Sequence, residues 1–70
     1  MGDAAGRSGV ILEFIRLGSV IRVSAIDPET LTEIVLQGPA AAGEASLRRA
    51  ALQKLAWVLA RRYVSGLAER

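Results

Sequence analysis

The chain has 70 residues with no cysteine and no histidine, and nine Lys and Arg residues against seven Asp and Glu residues give it a net charge of +2. This composition excludes disulfides and thiolate zinc sites, and it lacks the commonest metal ligand and general base. So short a chain forms one domain with a small core, so we expect a partner subunit to supply additional stability.

The first segment, residues 1–9, is rich in glycine and alanine without periodicity, and it predicts a disordered tail. It has no apolar core typical of a secretory signal, and with the absence of cysteine this predicts a cytoplasmic location. The apolar stretch 10–26 is interrupted by Glu13, Arg16 and Arg22, so it predicts no membrane span.

Two strands are predicted next, over residues 10–17 and 20–26, because both segments are rich in Val and Ile. Only Gly18 and Ser19 separate them, and a two-residue loop that begins with glycine favours a tight hairpin of type II′. This loop sets Phe14 opposite Val23, on one face of the sheet.

A third strand follows the turn Asp27-Pro28-Glu29-Thr30, in which Asp at the first position and Pro at the second favour type I geometry. A four-residue loop here pairs Ile26 with Leu31 and places Ile34 beside Val23. The face chosen by this loop is the one chosen by the first hairpin. The agreement predicts a three-stranded antiparallel β-meander.

The last element is one long C-terminal α-helix from Glu44 to about Ser65, after Gly38-Pro39 ends the third strand. At about 100° per residue its apolar positions form one stripe, made of Ala51, Leu52, Leu55, Val58 and Leu59. We expect the stripe to pack on Leu12, Phe14, Ile21, Val23, Ala25, Ile34 and Leu36. The predicted fold class is therefore α+β (βββα), with a single domain over residues 10–65 and a mobile C-terminus at 66–70.

Trp57 falls on the side of the helix away from the stripe, in a segment where residues 45–65 carry five cations and no acid. A protein contact, a ring covered by the stems of Lys54 and Arg61, and a base-stacking platform all explain it. The candidate partner contact consists of Trp57, Gln53, Lys54, Arg61 and Arg49. A solvated helix face is the plain alternative for these cations. Arg48 and Arg62 flank the stripe, and we expect them to reach acidic residues of the sheet.

The sheet face turned away from the helix is more apolar than a solvated face requires. Its apolar residues form a candidate dimer face, made of Ile11, Ile15, Leu17, Val20 and Val35. This predicts a homodimer, formed face to face or edge to edge through the first strand.

The sequence offers no recognisable set of catalytic residues. Gly18 and Gly38 lie in turns and match no phosphate-binding motif, and no serine has a base to activate it. We therefore expect no enzyme, no cofactor, no metal site and no small-molecule substrate.

Two functions follow for a chain with these surfaces. The first is a small cytoplasmic protein-interaction module or accessory subunit that acts as a homodimer. The alternative is a nucleic-acid- or ribosome-associated protein that uses the basic helix around Trp57, and its affinity would fall steeply with salt.

One stretch of sequence resembles a known family. The pattern comprises Val23-Ser24-Ala25-Ile26-Asp27-Pro28-Glu29-Thr30, Glu33, Gly38-Pro39, Arg49-Ala50-Ala51-Leu52, Lys54-Leu55 and Val58-Leu59. Over about residues 10 to 62 it resembles a small family of uncharacterised alphaproteobacterial proteins, some of which carry the name serine hydroxymethyltransferase. The resemblance implies no activity or site, and so short a chain could not enclose that enzyme's cofactor and substrate. Its relatives tend to have glycine where this chain has Leu31, which resists a positive φ.

Overall fold

The computed structural model describes residues 9–68, and the side chains of residues 9–62. Three antiparallel strands form one sheet in the order β1 (Ile11–Leu17), β2 (Val20–Asp27) and β3 (Thr32–Pro39). A short 3-10 helix at Ala40–Ala42 leads into α1 (Glu44–Ala68), which lies over β2 and β3. The predicted βββα fold is confirmed, with the helix continuing beyond Ser65. The tail predicted at residues 1–9 falls almost wholly outside the described residues, as does the end of the predicted mobile C-terminus.

The first hairpin has the predicted register, with Phe14 opposite Val23 and Leu17 opposite Val20 across the loop. Gly18 has a φ of 65°, and Ser19 keeps a negative φ, which is the pattern of a type II′ turn. Arg16 closes the loop from one side by donating from Nε to the carbonyl oxygen of Gly18 at 2.6 Å.

The predicted register of the second hairpin is wrong by two residues. The four-residue loop is Pro28–Leu31 rather than Asp27–Thr30, so Asp27 pairs with Thr32, and Ile34 lies opposite Ala25 instead of Val23. A shift of two residues keeps every side chain on its predicted face.

The side chain of Asp27 and the backbone of Leu31 explain this loop. Asp27 Oδ2 accepts hydrogen bonds from Thr30 Oγ1 at 2.7 Å and Thr30 N at 3.3 Å. Leu31 N donates to the carbonyl oxygen of Asp27 at 2.7 Å. Leu31 has the left-handed conformation, with a φ of 60°. The prediction failed because it counted Asp27 as the first residue of the loop, whereas Asp27 is the last residue of β2.

The core lies between α1 and the two strands beneath it. Its buried residues are Ile21, Val23, Ala25, Ile34, Leu47, Ala51 and Leu55. The predicted stripe is only partly buried, since Leu52, Val58 and Leu59 are half-buried. Leu47, absent from the predicted stripe, packs in the first turn of the helix above Gly38, where an added Cβ would lie 2.5 Å from Leu47 Cδ2. Glycine at 38 therefore allows the helix to approach β3.

Strand β1 is the least covered part of the sheet because α1 lies over β2 and β3. Its helix-facing residues Leu12 and Phe14 are half-buried, whereas Val23 beside Phe14 is fully buried. The guanidinium of Arg48 lies 5.7 Å from the centre of the Phe14 ring and covers it from the helix. The core thus ends at an incomplete border along β1.

Candidate interaction surfaces

The sheet face opposite α1, here called the open face, carries the predicted dimer-face residues. Ile11, Ile15 and Leu17 are 49%, 41% and 52% exposed and lie in a line along β1. Val20 lies beside Leu17 and is half-buried. Val35 is 37% exposed on β3. The structure thus brings four of the five together and leaves Val35 on the far strand.

Charged residues divide the open face into an apolar side and a mixed side. Glu13 lies next to Ser24, which in turn lies next to Val35, and Ile15 lies next to Arg22. Since directly opposed residues share a face, the apolar residues concentrate on β1 and the polar ones on β2 and β3. An interface centred on β1 therefore buries more apolar surface per charge than one centred on the whole face.

The two outer edges of the sheet differ in how they are protected. Lys54 Nζ lies 3.5 Å from the carbonyl oxygen of Val35, which therefore points outward from β3. Pro39 ends the same strand without an N–H donor. Lysine and proline are the residues that proteins use to keep an edge strand from pairing. The outer edge of β3 is therefore protected from pairing with another strand.

The edge of β1 carries neither protection. Leu17 and Val20 close a two-residue hairpin loop, so they form a hydrogen-bonded pair, and such pairs alternate along the strand. The backbone groups of Leu12, Phe14 and Arg16 therefore point away from β2. The strand contains no proline and no lysine over its seven residues. It offers three consecutive outward positions for pairing with another strand.

The second candidate surface follows the outer side of α1. Arg49, Gln53, Trp57 and Arg61 recur at every fourth position and form one ridge along the helix. All four side chains are exposed, and Trp57 is 59% exposed. Lys54 lies beside Trp57 on the side of the helix that faces β3, as its contact with Val35 shows. The structure therefore places all five candidate contact residues on one side of α1.

Arg61 and Arg62 form part of the surface around Trp57. The Arg61 guanidinium lies 4.6 Å from the centre of the Trp57 ring, a cation–π contact that the four-residue spacing could have indicated. Arg62 Nη1 donates to Thr32 Oγ1, and Thr32 belongs to the hydroxyl network of the second turn. Sequence reasoning expected Arg62 to reach an acidic residue, and it reaches a hydroxyl instead. Trp57, Val58, Arg61 and Arg62 line a shallow groove of about 360 Å³.

Comparison with known families gives one result. A family model described as a domain of unknown function (DUF6898) matches residues 7–62. The chain belongs to the DUF6898 family. No curated protein and no solved structure matches it. The family match covers both candidate surfaces of the DUF6898 domain and, like its description, assigns no activity to either.

The described part of the DUF6898 domain contains no group of three or more acidic side chains placed to hold a metal ion. No helix within residues 9–68 is both long and apolar enough to cross a membrane. An exposed strand edge can pair with another chain, and tryptophan is enriched among the residues that dominate binding at protein interfaces.

Proposed function

We propose that this DUF6898 protein is a cytoplasmic, non-catalytic interaction module or accessory subunit that functions as a homodimer joined along β1. The observation that carries the proposal is the contrast between the two sheet edges. The edge of β3 is protected by Lys54 and Pro39, whereas β1 contains neither lysine nor proline and carries Glu13 and Arg16 among five apolar residues. An edge strand without such protection presents unpaired N–H and C=O groups that can pair with another chain.

The pairing we propose is antiparallel, with Phe14 of one copy opposite Phe14 of the other about a twofold axis. The outward backbone groups of Leu12, Phe14 and Arg16 then meet their counterparts, because Leu12 of each copy faces Arg16 of the other. In this register each of the seven residues of β1 faces a residue of β1 in the other copy. The result is a six-stranded sheet with both helices on one face.

The charges of β1 favour this register over its neighbours. In the proposed register Glu13 faces Ile15 of the other copy, and Ile11 faces Leu17. A shift of two residues in one direction would set Glu13 against Glu13, which is repulsive. A shift in the other direction would leave the start of the strand without a partner. The strand is thus self-complementary in one register.

The same pairing completes the core at its incomplete border. Phe14 and Leu12 are half-buried in the single chain, and Arg48 lies over the Phe14 ring. Two copies joined along β1 would bring these side chains together beneath the two helices, on which Leu52 and Leu59 are also half-buried. Burial of this kind suits a short chain whose own core is small.

The test is sedimentation equilibrium of the protein and of designed variants at matched concentrations. We expect a dimer at micromolar concentration. Ile15→Glu places a carboxylate opposite Glu13 of the other copy at two symmetric points, and lies beside Arg22 within its own chain. Its dissociation constant should rise about tenfold or more, since each cross-strand pair contributes ~0.2–1 kcal/mol and the apolar contact is lost as well.

Two further variants separate edge pairing from a face-to-face dimer. Glu13→Arg added to Ile15→Glu restores opposite charges across the twofold axis and should restore the dimer. Val35→Glu is the matched control, because it puts the same charge on the open face of β3, away from the proposed interface. A monomer at high micromolar concentration contradicts the proposal, and so does a Val35→Glu variant that weakens the dimer as much as Ile15→Glu does.

A further inference from the structure

We propose that the Trp57 flank, defined as Lys54, Trp57, Val58, Arg61 and Arg62, binds an acidic segment of a partner protein. An apolar side chain of that segment occupies the groove beside Trp57, and its carboxylates pair with Arg61 and Arg62. This inference goes beyond self-association, because pairing along β1 leaves the flank uncovered.

The position of the flank separates it from the proposed dimer interface. Lys54 reaches Val35 at the outer edge of β3, and Arg62 reaches Thr32 at the start of β3. Trp57 lies on the same side of the helix as Lys54, three residues further on. In the six-stranded sheet the β3 strands are outermost, so the two flanks lie at opposite ends of the dimer. The 59% exposure of Trp57 is therefore left without a partner by dimerisation.

The groove has the composition of an interface anchor point. Tryptophan and arginine are the residues most enriched among those that dominate binding energy. The stacked guanidinium of Arg61 holds the Trp57 ring in place at 4.6 Å, so less side-chain entropy is lost when a partner binds. Val58 adds a half-buried apolar surface beside the ring. A groove of about 360 Å³ has room for an apolar side chain of a partner together with part of its backbone.

Charge complementarity selects an acidic occupant. Residues 45–62 of the helix carry Arg48, Arg49, Lys54, Arg61 and Arg62 and no acidic residue. Among the residues whose side chains the structure describes, the acid nearest to Trp57 along the helix is Glu44, about 20 Å away along its axis. On the neighbouring sheet, Asp27 is buried and accepts from Thr30, and Glu33 is on the open face. Within residues 45–62 the helix surface around the groove is therefore positively charged.

The arrangement of these cations favours a peptide over a nucleic acid. Arg61 and Arg62 lie within five residues of Trp57, and each guanidinium keeps donors beyond its contact with the Trp57 ring or with Thr32. Arg49 lies about 18 Å away from Arg61 along the helix, so the cations do not form a row that could follow a phosphate backbone. One anchor with charges close around it matches a short acidic motif.

The experiment is a selection of short random peptides displayed on phage against the biotinylated full chain, with counter-selection against Trp57→Ala. We expect the selected peptides to combine Asp or Glu with Leu or an aromatic residue. The most enriched peptide is then synthesised and titrated calorimetrically. Its dissociation constant should rise at least about tenfold in Trp57→Ala and in Arg61→Glu. Arg49→Glu, the matched charge reversal at the far end of the ridge, should change it less than about twofold.

Three results would overturn the inference. The first is a selection that enriches no acidic peptide. The second is binding that Arg49→Glu weakens as much as Arg61→Glu does, which would indicate attraction to net charge alone. The third is an oligouridine RNA that quenches Trp57 fluorescence in a steeply salt-dependent manner and displaces the selected peptide, which would assign the flank to nucleic acid.

Sedimentation of the same variants separates this inference from the proposed homodimer. Trp57→Ala and Arg61→Glu should remain dimeric, because both positions lie far from β1. A monomeric protein that binds the selected peptides through Trp57 retains this inference and refutes the homodimer. A dimeric protein that selects no acidic peptide retains the homodimer and refutes this inference.

Discussion

Replacement of Leu31 by glycine should stabilise the protein. Among the described residues Leu31 is the one non-glycine residue with a positive φ, at 60°, and its side chain is 80% exposed. For an L-residue this left-handed conformation costs ~1–2 kcal/mol. Glycine removes that cost but gives back ~0.5–1 kcal/mol through the greater freedom of the unfolded chain. The expected gain is therefore about 0.5–1 kcal/mol in the free energy of unfolding.

The assay is urea unfolding at one fixed protomer concentration, since the stability of a dimer depends on concentration. A gain of this size corresponds to a rise in melting temperature of a few degrees, at about 4–8 °C per kcal/mol for a chain this short. Leu31→Ala is the first control, because it removes the exposed side chain but keeps the Cβ, and it should leave stability nearly unchanged.

Gly18→Ala is the reciprocal control. Gly18 has a φ of 65°, and an added Cβ would meet no atom within 4 Å, so only the backbone conformation opposes alanine there. The expected net loss is ~1 kcal/mol or more, because the first central position of a type II′ turn is less accessible to an L-residue than the left-handed conformation of Leu31. The reasoning fails if Leu31→Gly destabilises the protein, or if Leu31→Ala changes stability by as much as Leu31→Gly.

Three further changes test the packing and the loops. Gly38→Ala should cost ~1–3 kcal/mol of stability by overpacking against Leu47, and a double-mutant cycle with Leu47→Ala should remove most of that cost. Asp27→Ala should cost ~1–3 kcal/mol by removing the buried acceptor of the second turn, and Asp27→Asn, which keeps one acceptor oxygen, should cost less in the same denaturation experiment. Arg61→Ala should expose more of the ring of Trp57, so acrylamide quenching of this single tryptophan should increase, and unchanged quenching would show that the cation does not cover the ring in solution.

The sequence was sufficient to predict the fold because its local signals agree with one another. The two loops independently specify one core face, since a shift of two residues at the second loop keeps every side chain on its face, and the structure has Phe14 opposite Val23 as predicted. The second loop was placed one position too early because Asp27 was read as a turn residue. It is the last residue of β2, and its side chain builds the turn from within the strand.

The surfaces were predicted by location more than by their contacts. The outward position of Trp57 followed from the helical period, and the apolar character of Ile11, Ile15 and Leu17 followed from the alternation of the strand. Which strands the helix covers depends on its lateral position over the sheet, and no periodicity encodes that position. The half-buried state of Leu12 and Phe14 was therefore outside what the sequence could predict.

The lateral position of α1 connects the two proposed surfaces. Because the helix lies over β2 and β3, it leaves the border along β1 incomplete and at the same time places Lys54 and Arg62 over β3. A helix centred on β2 would cover Phe14 better and would draw these cations away from the outer edge. The same lateral position thus leaves the edge of β1 uncovered and places Lys54 at the edge of β3, with Trp57 on the same side of the helix. A dimer built in this way presents two Trp57 flanks at opposite ends of one sheet, which is the geometry of a bivalent adaptor.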